Sequence, residues 1–154
     1  MMPHLAPNFT FAEMTRTNHR GLLDANRQMG RDHAEALAAT AQMLQAIRDH
    51  FRSPVIVHSA FRCKGLNQEI GGSPYSQHCK GEAADIHVIG VPLRRVFDWV
   101  RNESGLAYGQ LILEGIAADQ PTWLHISLGE PWRSEAKSRV AMTWDKTNGY
   151  TRIT

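Results

Sequence analysis

Apolar residues recur at steps of three and four between Arg31 and Phe51, and this spacing predicts the longest helix of the chain. The positions of the repeating face are Leu37, Thr40, Leu44, Ile47 and Phe51. Side chains at such steps lie on one side of a helix and pack together against a core. The many alanines of this stretch also favour helix. Pro54 marks a point by which the helix has ended, because the residue before a proline avoids the helical region.

Start and stop signals predict three shorter helices. They are the capping box Thr10–Glu13 with Phe9 and Met14 as its hydrophobic staple, the segment Lys64–Ile70 ahead of the break at Gly71–Pro74, and the amphipathic run Leu93–Val100 after Pro92. A capping box begins a helix because the threonine hydroxyl accepts a hydrogen bond from a main-chain N–H that has no partner within the helix. A proline suits the start of a helix, since the first helical N–H groups need no acceptor within the helix.

Short apolar or alternating stretches predict the strands, and most of them lie in the second half of the chain. They are Val55–Val57, Ala83–Ile89, Gln110–Glu114, Trp123–Leu128 and Arg139–Trp144. The third and the fourth of these are expected to pair. Helices come first and strands cluster later, which predicts an α+β fold. We expect one small domain over residues 1–154, with an antiparallel sheet and helices packed on one side.

Composition narrows the class of protein. The 154 residues are 42% hydrophobic and 21% charged, with a net charge of +2, as in an ordinary soluble domain. Lysine and arginine are spread along the chain, so nucleic acid is not indicated as a partner. No apolar run is long enough to span a membrane, and the first ten residues lack the apolar core of a secretory signal. We therefore expect a monomer that is synthesised in the cytoplasm.

The two cysteines, Cys63 and Cys79, do not have the C-x-x-C spacing of thiolate zinc sites. A single pair also falls short of the disulfide framework that is typical of small secreted domains. A Cys63–Cys79 bridge stays open as an alternative, and two free thiols in a reducing compartment are the expected state.

Three residues carry the strongest chemical signal. His78 and Asp85 bound a short segment rich in small residues, and His125 follows in a predicted strand. Two imidazoles and one carboxylate hold a catalytic zinc ion and leave a coordination position for water, whereas a structural site is normally closed by four ligands. His87 shares a strand face with Asp85 and stays open as a competing ligand. The other histidines, His4, His19, His33, His50 and His58, have no ligand partner at a meaningful spacing.

Glu114 is the candidate general base. Alternate side chains of a strand share a face, so His125 points the same way as Trp123 and Ser127. If Glu114 lies on the matching face of the preceding strand, it approaches a metal held by His125. Zinc acidifies a water molecule, and a nearby carboxylate takes the proton. Asp119, in the loop that follows, is the alternative base.

The paired motifs resemble those of the zinc D-alanyl-D-alanine peptidases of family M15, whose metal-site architecture is shared by Hedgehog domains. The motifs are Ser76-x-His78-x-x-Gly81-x-Ala83-x-Asp85 and Trp123-x-His125-x-Ser127. Further similarity covers Asn8–Glu13, Ser59-x-Phe61-Arg62 with Leu66-Asn67, and Gln110–Glu114. The resemblance implies a Hedgehog/DD-peptidase-like fold that binds Zn²⁺ through His78, Asp85 and His125, with Glu114 as the base.

The resemblance also implies a substrate, the D-alanyl bonds of peptidoglycan stem peptides or crosslinks. Carboxypeptidase and endopeptidase activity both stay open. Arg62 is the candidate for a substrate carboxylate, because a guanidinium matches a carboxylate with two parallel hydrogen bonds. Ser76 is a candidate for hydrogen-bonding the substrate or for capping the loop before His78. Ser127 is a candidate for binding the substrate backbone or for orienting a neighbouring ligand.

Two broader interpretations accompany this prediction. The size of the chain and the absence of a signal segment suit a phage or prophage lysis enzyme (an endolysin) that reaches the cell wall through a holin-type pore. The alternative is a catalytically inactive module of the same fold, either a zinc-containing binding domain or a part of a phage particle. The presence of both a ligand set and a candidate base favours the enzyme.

Overall fold

The computed structural model describes residues 3–115 and 121–153. In these ranges the helices are α1 (Phe11–Met14), α2 (Leu23–Gly30), α3 (Ala34–Phe51), α4 (Lys64–Glu69) and α5 (Leu93–Asn102). The strands are β1 (His4–Ala6), β2 (Phe9–Thr10), β3 (Val55–Ser59), β4 (Ala83–Val88), β5 (Tyr108–Glu114), β6 (Trp123–Leu128), β7 (Val140–Asp145) and β8 (Gly149–Arg152). The chain is therefore α+β, as the pattern predicts. It forms two compact units, one within Met1–Ala46 and Val57–Ala84, the other within Ile47–Ile56 and Asp85–Thr154.

The first unit is mainly helical and confirms the predicted start of α1. The Thr10 hydroxyl accepts a hydrogen bond from the main-chain N–H of Glu13 at 3.1 Å. The staple residues Phe9 and Met14 are both fully buried. The predicted long helix is also present, since a 3-10 turn over Arg31–His33 leads directly into α3. Besides the helices, this unit contains the short antiparallel pair of β1 and β2.

Helix α2 is not anticipated by the hydrophobic pattern, because its buried residues are Asn26 and Gly30 rather than large apolar ones. Asn26 is fully buried and uses its whole side-chain amide. Its Nδ2 donates to the main-chain oxygens of Thr15 at 2.7 Å and Phe61 at 3.1 Å. Its Oδ1 accepts from the N–H of Cys63 at 2.7 Å. The side chain of Asn26 therefore holds the main chain at Phe61 and at Cys63, on either side of residue 62.

The second unit contains a six-stranded sheet with the order β3-β4-β6-β5-β7-β8, and each of these strands contributes residues to the unit. Strand β5 pairs antiparallel with β6, as predicted, but parallel with β7. The sheet is therefore mixed, and the prediction of an antiparallel sheet is wrong in this respect. The reason is the connection over residues 129–139. It carries the chain from β6 to the far side of β5, so that β7 enters in the direction of β5, whereas a tight turn would have produced an antiparallel neighbour.

Strands β5 and β6 form the centre of this unit, and α5 packs on both of them. The pairing of β5 and β6 shifts register between Tyr108 and Leu111, and Gly109 lies in this irregularity. A Cβ at Gly109 would stand 2.5 Å from the carbonyl oxygen of Leu128, so only glycine permits the close approach. The fully buried large side chains of the unit are Ile47, Ile86, Phe97, Leu111, Leu113, Leu124 and Ile126.

Candidate metal and catalytic site

His78 lies in a 3-10 turn over Gln77–Lys80, and specific contacts define both ends of this turn. At the start, the Ser76 hydroxyl accepts from the main-chain N–H of His78 at 3.2 Å. At the end, Gly81 adopts a left-handed backbone with a φ of 74°, where a side chain would crowd helix α3. The fully buried Thr40 of α3 donates its hydroxyl to the carbonyl oxygen of Gly81 at 2.8 Å. Helix α3 therefore holds the turn that carries the histidine.

The ring of His78 has a defined orientation and tautomer. The side chain is only 2% exposed, and Nδ1 lies 2.7 Å from the carbonyl oxygen of Ala60. Because a carbonyl oxygen can only accept, Nδ1 carries the proton and Nε2 carries the lone pair that a metal ligand needs. The main-chain oxygen of His78 also accepts from the N–H of Arg62 at 3.0 Å. The segment Ala60–Arg62 thus contacts both the ring and the backbone of this residue.

Asp85 and His125 are brought together by β4 and β6. Oδ1 of Asp85 lies 2.9 Å from Nδ1 of His125, and the two residues are 8% and 9% exposed. One potential ligand atom from each of His78, Asp85 and His125 lies within 4.8 Å of the other two. Ligand atoms at about 2.0–2.2 Å from one tetrahedral zinc ion stand roughly 3.4 Å apart. The donor set and its compactness therefore fit zinc after small side-chain movements.

The competing ligand left open by the sequence, His87, does not belong to this cluster. His87 is half-buried and lies outside the group of potential ligand atoms found in the described residues. Cys63 and Cys79 are free thiols, as expected. Burial raises the pKa of the Cys79 thiol, and Cys63 adds to this, while Arg62 and Lys64 oppose it. Thiolate is the metal-binding form of cysteine, so this shift works against a ligand role for Cys79.

Glu114 ends β5 next to the candidate ligand His125. Ile112 pairs with His125 and Glu114 pairs with Trp123 across the β5–β6 ladder. Glu114 and His125 are therefore diagonal neighbours on one face, and such neighbours stand roughly 7–8 Å apart between Cα atoms. The carboxylate is half-buried, which leaves it accessible to a substrate. Its role as a base stays a prediction, and Asp119 lies outside the described residues.

Arg62 is held by a polar network that involves the glycine-rich loop. Its Nε donates to the Ser59 hydroxyl at 3.1 Å, and its Nη1 donates to Oδ1 of Asn67 at 3.2 Å. Asn67 is 3% exposed and donates from Nδ2 to the carbonyl oxygen of Ser73 at 2.8 Å. A Cβ at Gly72 would collide with Oδ1 of Asn67. The sequence singles out Asn67 only through the Leu66-Asn67 similarity to family M15, without a role, and that similarity was the available signal for it.

The two serines predicted to bind substrate both have main-chain contacts. Ser76 caps the turn of His78, as described above. Ser127 is fully buried, and its hydroxyl accepts from the N–H of Gln110 at 2.8 Å, which supports the irregular β5–β6 pairing. Their roles in substrate binding stay predictions.

Two aromatic residues that the sequence did not single out lie beside Glu114. Trp144 of β7 pairs with Glu114, and Tyr150 of β8 pairs with Trp144. We call Trp123, Glu114, Trp144 and Tyr150 the aromatic row, because residues directly opposite each other project from the same face of a sheet. Burial raises the pKa of the Tyr150 phenol, and so do the negative charges of Glu114 and Asp85. The Asn148-Gly149 turn ahead of β8 was the available signal for this hairpin.

Comparison with protein families adds an independent observation. A family model described as Peptidase M15 matches residues 7–126. The chain belongs to the M15 peptidase family. The predicted resemblance is thereby confirmed, and the match spans His78, Asp85, Glu114 and His125. Membership implies peptidase activity, and M15 peptidases are typically zinc-dependent, in agreement with the buried cluster.

Two further findings accompany the family assignment. No curated protein matches this M15 peptidase. None of the helices in residues 3–115 and 121–153 combines the length and apolar character that crossing a bilayer requires.

Proposed function

We propose that this M15 family member is a zinc metallopeptidase that hydrolyses D-alanyl bonds in peptidoglycan stem peptides or crosslinks. The observation that carries the proposal is the buried group of His78, Asp85 and His125, whose ligand atoms lie within 4.8 Å of one another. In this assignment the three residues hold the zinc ion. Glu114, on the same sheet face as His125, is the general base.

Each of the candidate site residues has a defined role in the proposed reaction. Zinc, when bound, supplies a positive charge that acidifies water and polarises the scissile carbonyl group. Asp85 and His125 provide a carboxylate and an imidazole from neighbouring positions of the sheet. Glu114 takes a proton from the attacking water and gives it to the leaving amine, so that one C–N bond breaks as one C–O bond forms. Its half-buried position allows both contacts.

Arg62 is proposed to bind a carboxylate of the substrate. Its guanidinium group is oriented by Ser59 and Asn67, which lowers the entropy lost when a ligand is bound. Ser76 is proposed as a substrate contact through the second lone pair of its hydroxyl. Ser127 is fully buried, so we propose for it the alternative role of holding the strand that carries His125. A terminal carboxylate at Arg62 favours carboxypeptidase activity, whereas crosslink cleavage presents no such group there. A single peptidase domain, a monomeric state and a phage lysis role stay predictions.

Mass spectrometry of purified muropeptides tests the function directly. The zinc-loaded protein should release one alanine from pentapeptides if it is a carboxypeptidase, or split crosslinked dimers if it is an endopeptidase. Glu114→Gln should abolish the product, while Glu103→Gln, a matched change at the exposed glutamate that directly follows α5, should not. Zinc bound with no product from any muropeptide would favour the alternative, an inactive zinc-containing module.

A further inference from the structure

The aromatic row continues beyond the candidate base toward the edge of the sheet. Neighbouring strands lie about 4.8 Å apart, so Trp144 stands roughly 5 Å from Glu114 and Tyr150 roughly 10 Å from it, measured across the strands. Strand β8 is the last strand of the sheet order. The rings of Trp144 and Tyr150 are adjacent, with centroids 6.4 Å apart and planes inclined by 55°.

These two aromatic side chains are accessible. Trp144 is half-buried and Tyr150 is 62% exposed, although both lie on the face that carries Glu114 and His125. Large rings that serve only as packing are usually buried, and an aromatic pair beside a reactive carboxylate suits ligand contact. Both residues also follow the segment 7–126 that matches the family model. The family match therefore does not account for them.

We infer that Trp144 and Tyr150 form a binding strip for the peptide chain of the substrate on one side of the bond that is cut. The inference rests on the proposed function. An extended chain advances about 3.3–3.6 Å per residue, so the second residue from the cleaved bond reaches Trp144 and the third reaches Tyr150. The ring faces contact aliphatic parts of these residues. The Tyr150 hydroxyl donates to a peptide carbonyl.

The strip makes the enzyme sensitive to substrate length. A peptide with one residue on the relevant side of the cleaved bond cannot reach either ring, whereas a peptide with three residues contacts both. Removing a ring should therefore weaken the use of long peptides and leave short ones unaffected. A general loss of activity, by contrast, would lower the turnover of short and long peptides equally.

The test compares kcat/KM for two series of stem peptides, lengthened by one residue at a time on either side of the D-alanyl bond. Trp144→Ala and Tyr150→Ala should lower kcat/KM by about ten-fold for the longest peptides of one series, as expected when an aromatic contact is lost. The shortest peptides should change less than about two-fold by the same reasoning. Trp99→Phe is the matched control, because Trp99 is a half-buried tryptophan that stacks on His50 at 4.1 Å.

Binding measurements separate this inference from the proposed function. Zinc-loaded Glu114→Gln protein is titrated with the longest peptides, and binding is monitored by tryptophan fluorescence. Introducing Trp144→Ala or Tyr150→Ala into this protein should weaken the binding. An equal loss of affinity for short and long peptides would contradict the binding strip. A loss of affinity seen only when the peptides are attached to glycan would contradict it as well. If wild-type protein cleaves no peptide, the proposed function fails, and the strip survives only if the length-dependent binding is still observed.

Discussion

The candidate ligands and the aromatic row differ in how the protein surrounds them. His78, Asp85 and His125 are 2–9% exposed, and Nδ1 of each histidine ring and Oδ1 of Asp85 are already hydrogen-bonded within the protein. The row is half-buried at Glu114 and 62% exposed at Tyr150. Hydrogen bonds within the protein hold the first region in place before any ligand is bound, apart from small side-chain movements, and the second region is open to solvent. Changes in the first should therefore alter metal content, and changes in the second should alter turnover and substrate choice.

The largest effect is expected for His125→Ala. Removal of one of three protein ligands should lower the zinc content strongly and abolish peptidase activity, since the site would retain only His78 and Asp85. Metal analysis of the purified variant measures this. His87→Ala is the control and should retain zinc. Full zinc occupancy in His125→Ala would mean that the metal is held elsewhere.

Glu114→Gln should separate the two regions most clearly. The amide cannot accept a proton, so turnover should fall on the order of 10²–10⁴-fold, while zinc content and thermal stability stay unchanged. Steady-state kinetics and metal analysis on the same preparation measure both. If Glu114→Gln stays active and Asp119→Asn is inactive, the base is the other carboxylate.

Arg62→Ala should act on binding rather than on metal. Loss of a charge-assisted contact worth roughly 1.5–3 kcal/mol should raise KM for a peptide with a free terminal carboxylate. The informative comparison is the same peptide amidated at its C-terminus. Wild-type protein that cleaves both forms equally would contradict the carboxylate contact and favour cleavage of crosslinks.

The smallest effect concerns Thr10→Ala, remote in sequence from both regions. Loss of the helix cap should reduce the free energy of unfolding by about 1 kcal/mol. Zinc content, kcat and KM should not change. Urea unfolding monitored by circular dichroism provides the measurement, and Thr147→Ala on the exposed turn after β7 provides a control. A change in zinc content would show that the stability of α1 is coupled to metal binding.

Local sequence patterns predicted those parts of the fold that depend on neighbouring residues. The periodicity of α3, the cap of α1 and the alternation of β5 and β6 each specify their own segment. Glu114 could be placed beside His125 because both strands have the same two-residue repeat. The pairing of strands that are distant along the chain has no such local sequence pattern. The parallel neighbour β7 and the row through Trp144 and Tyr150 depend on how residues 129–139 cross the sheet.

Polar burial was the other source of missed structure. The hydrophobic pattern carries no signal for Asn26 or Asn67, yet both are buried and hydrogen-bonded to the main chain. Their contribution depends on which carbonyl and N–H groups surround them after folding. The ligand set was easier to predict, since few residue types bind zinc and their spacing is visible along the chain.

The contacts of the short segment Ala60–Arg62 have a thermodynamic consequence. The carbonyl group of Ala60 orients the His78 ring, and the main-chain N–H of Arg62 donates to the carbonyl oxygen of the same residue. The side chain of Arg62 is the proposed contact for a substrate carboxylate. Through these contacts, a metal ion that stabilises the position of His78 should also stabilise the position of Arg62. An anion bound to Arg62 should stabilise His78 in the same way. Because coupling between two binding events is reciprocal, zinc should bind more tightly in the presence of peptide by the same factor as peptide binds more tightly in the presence of zinc.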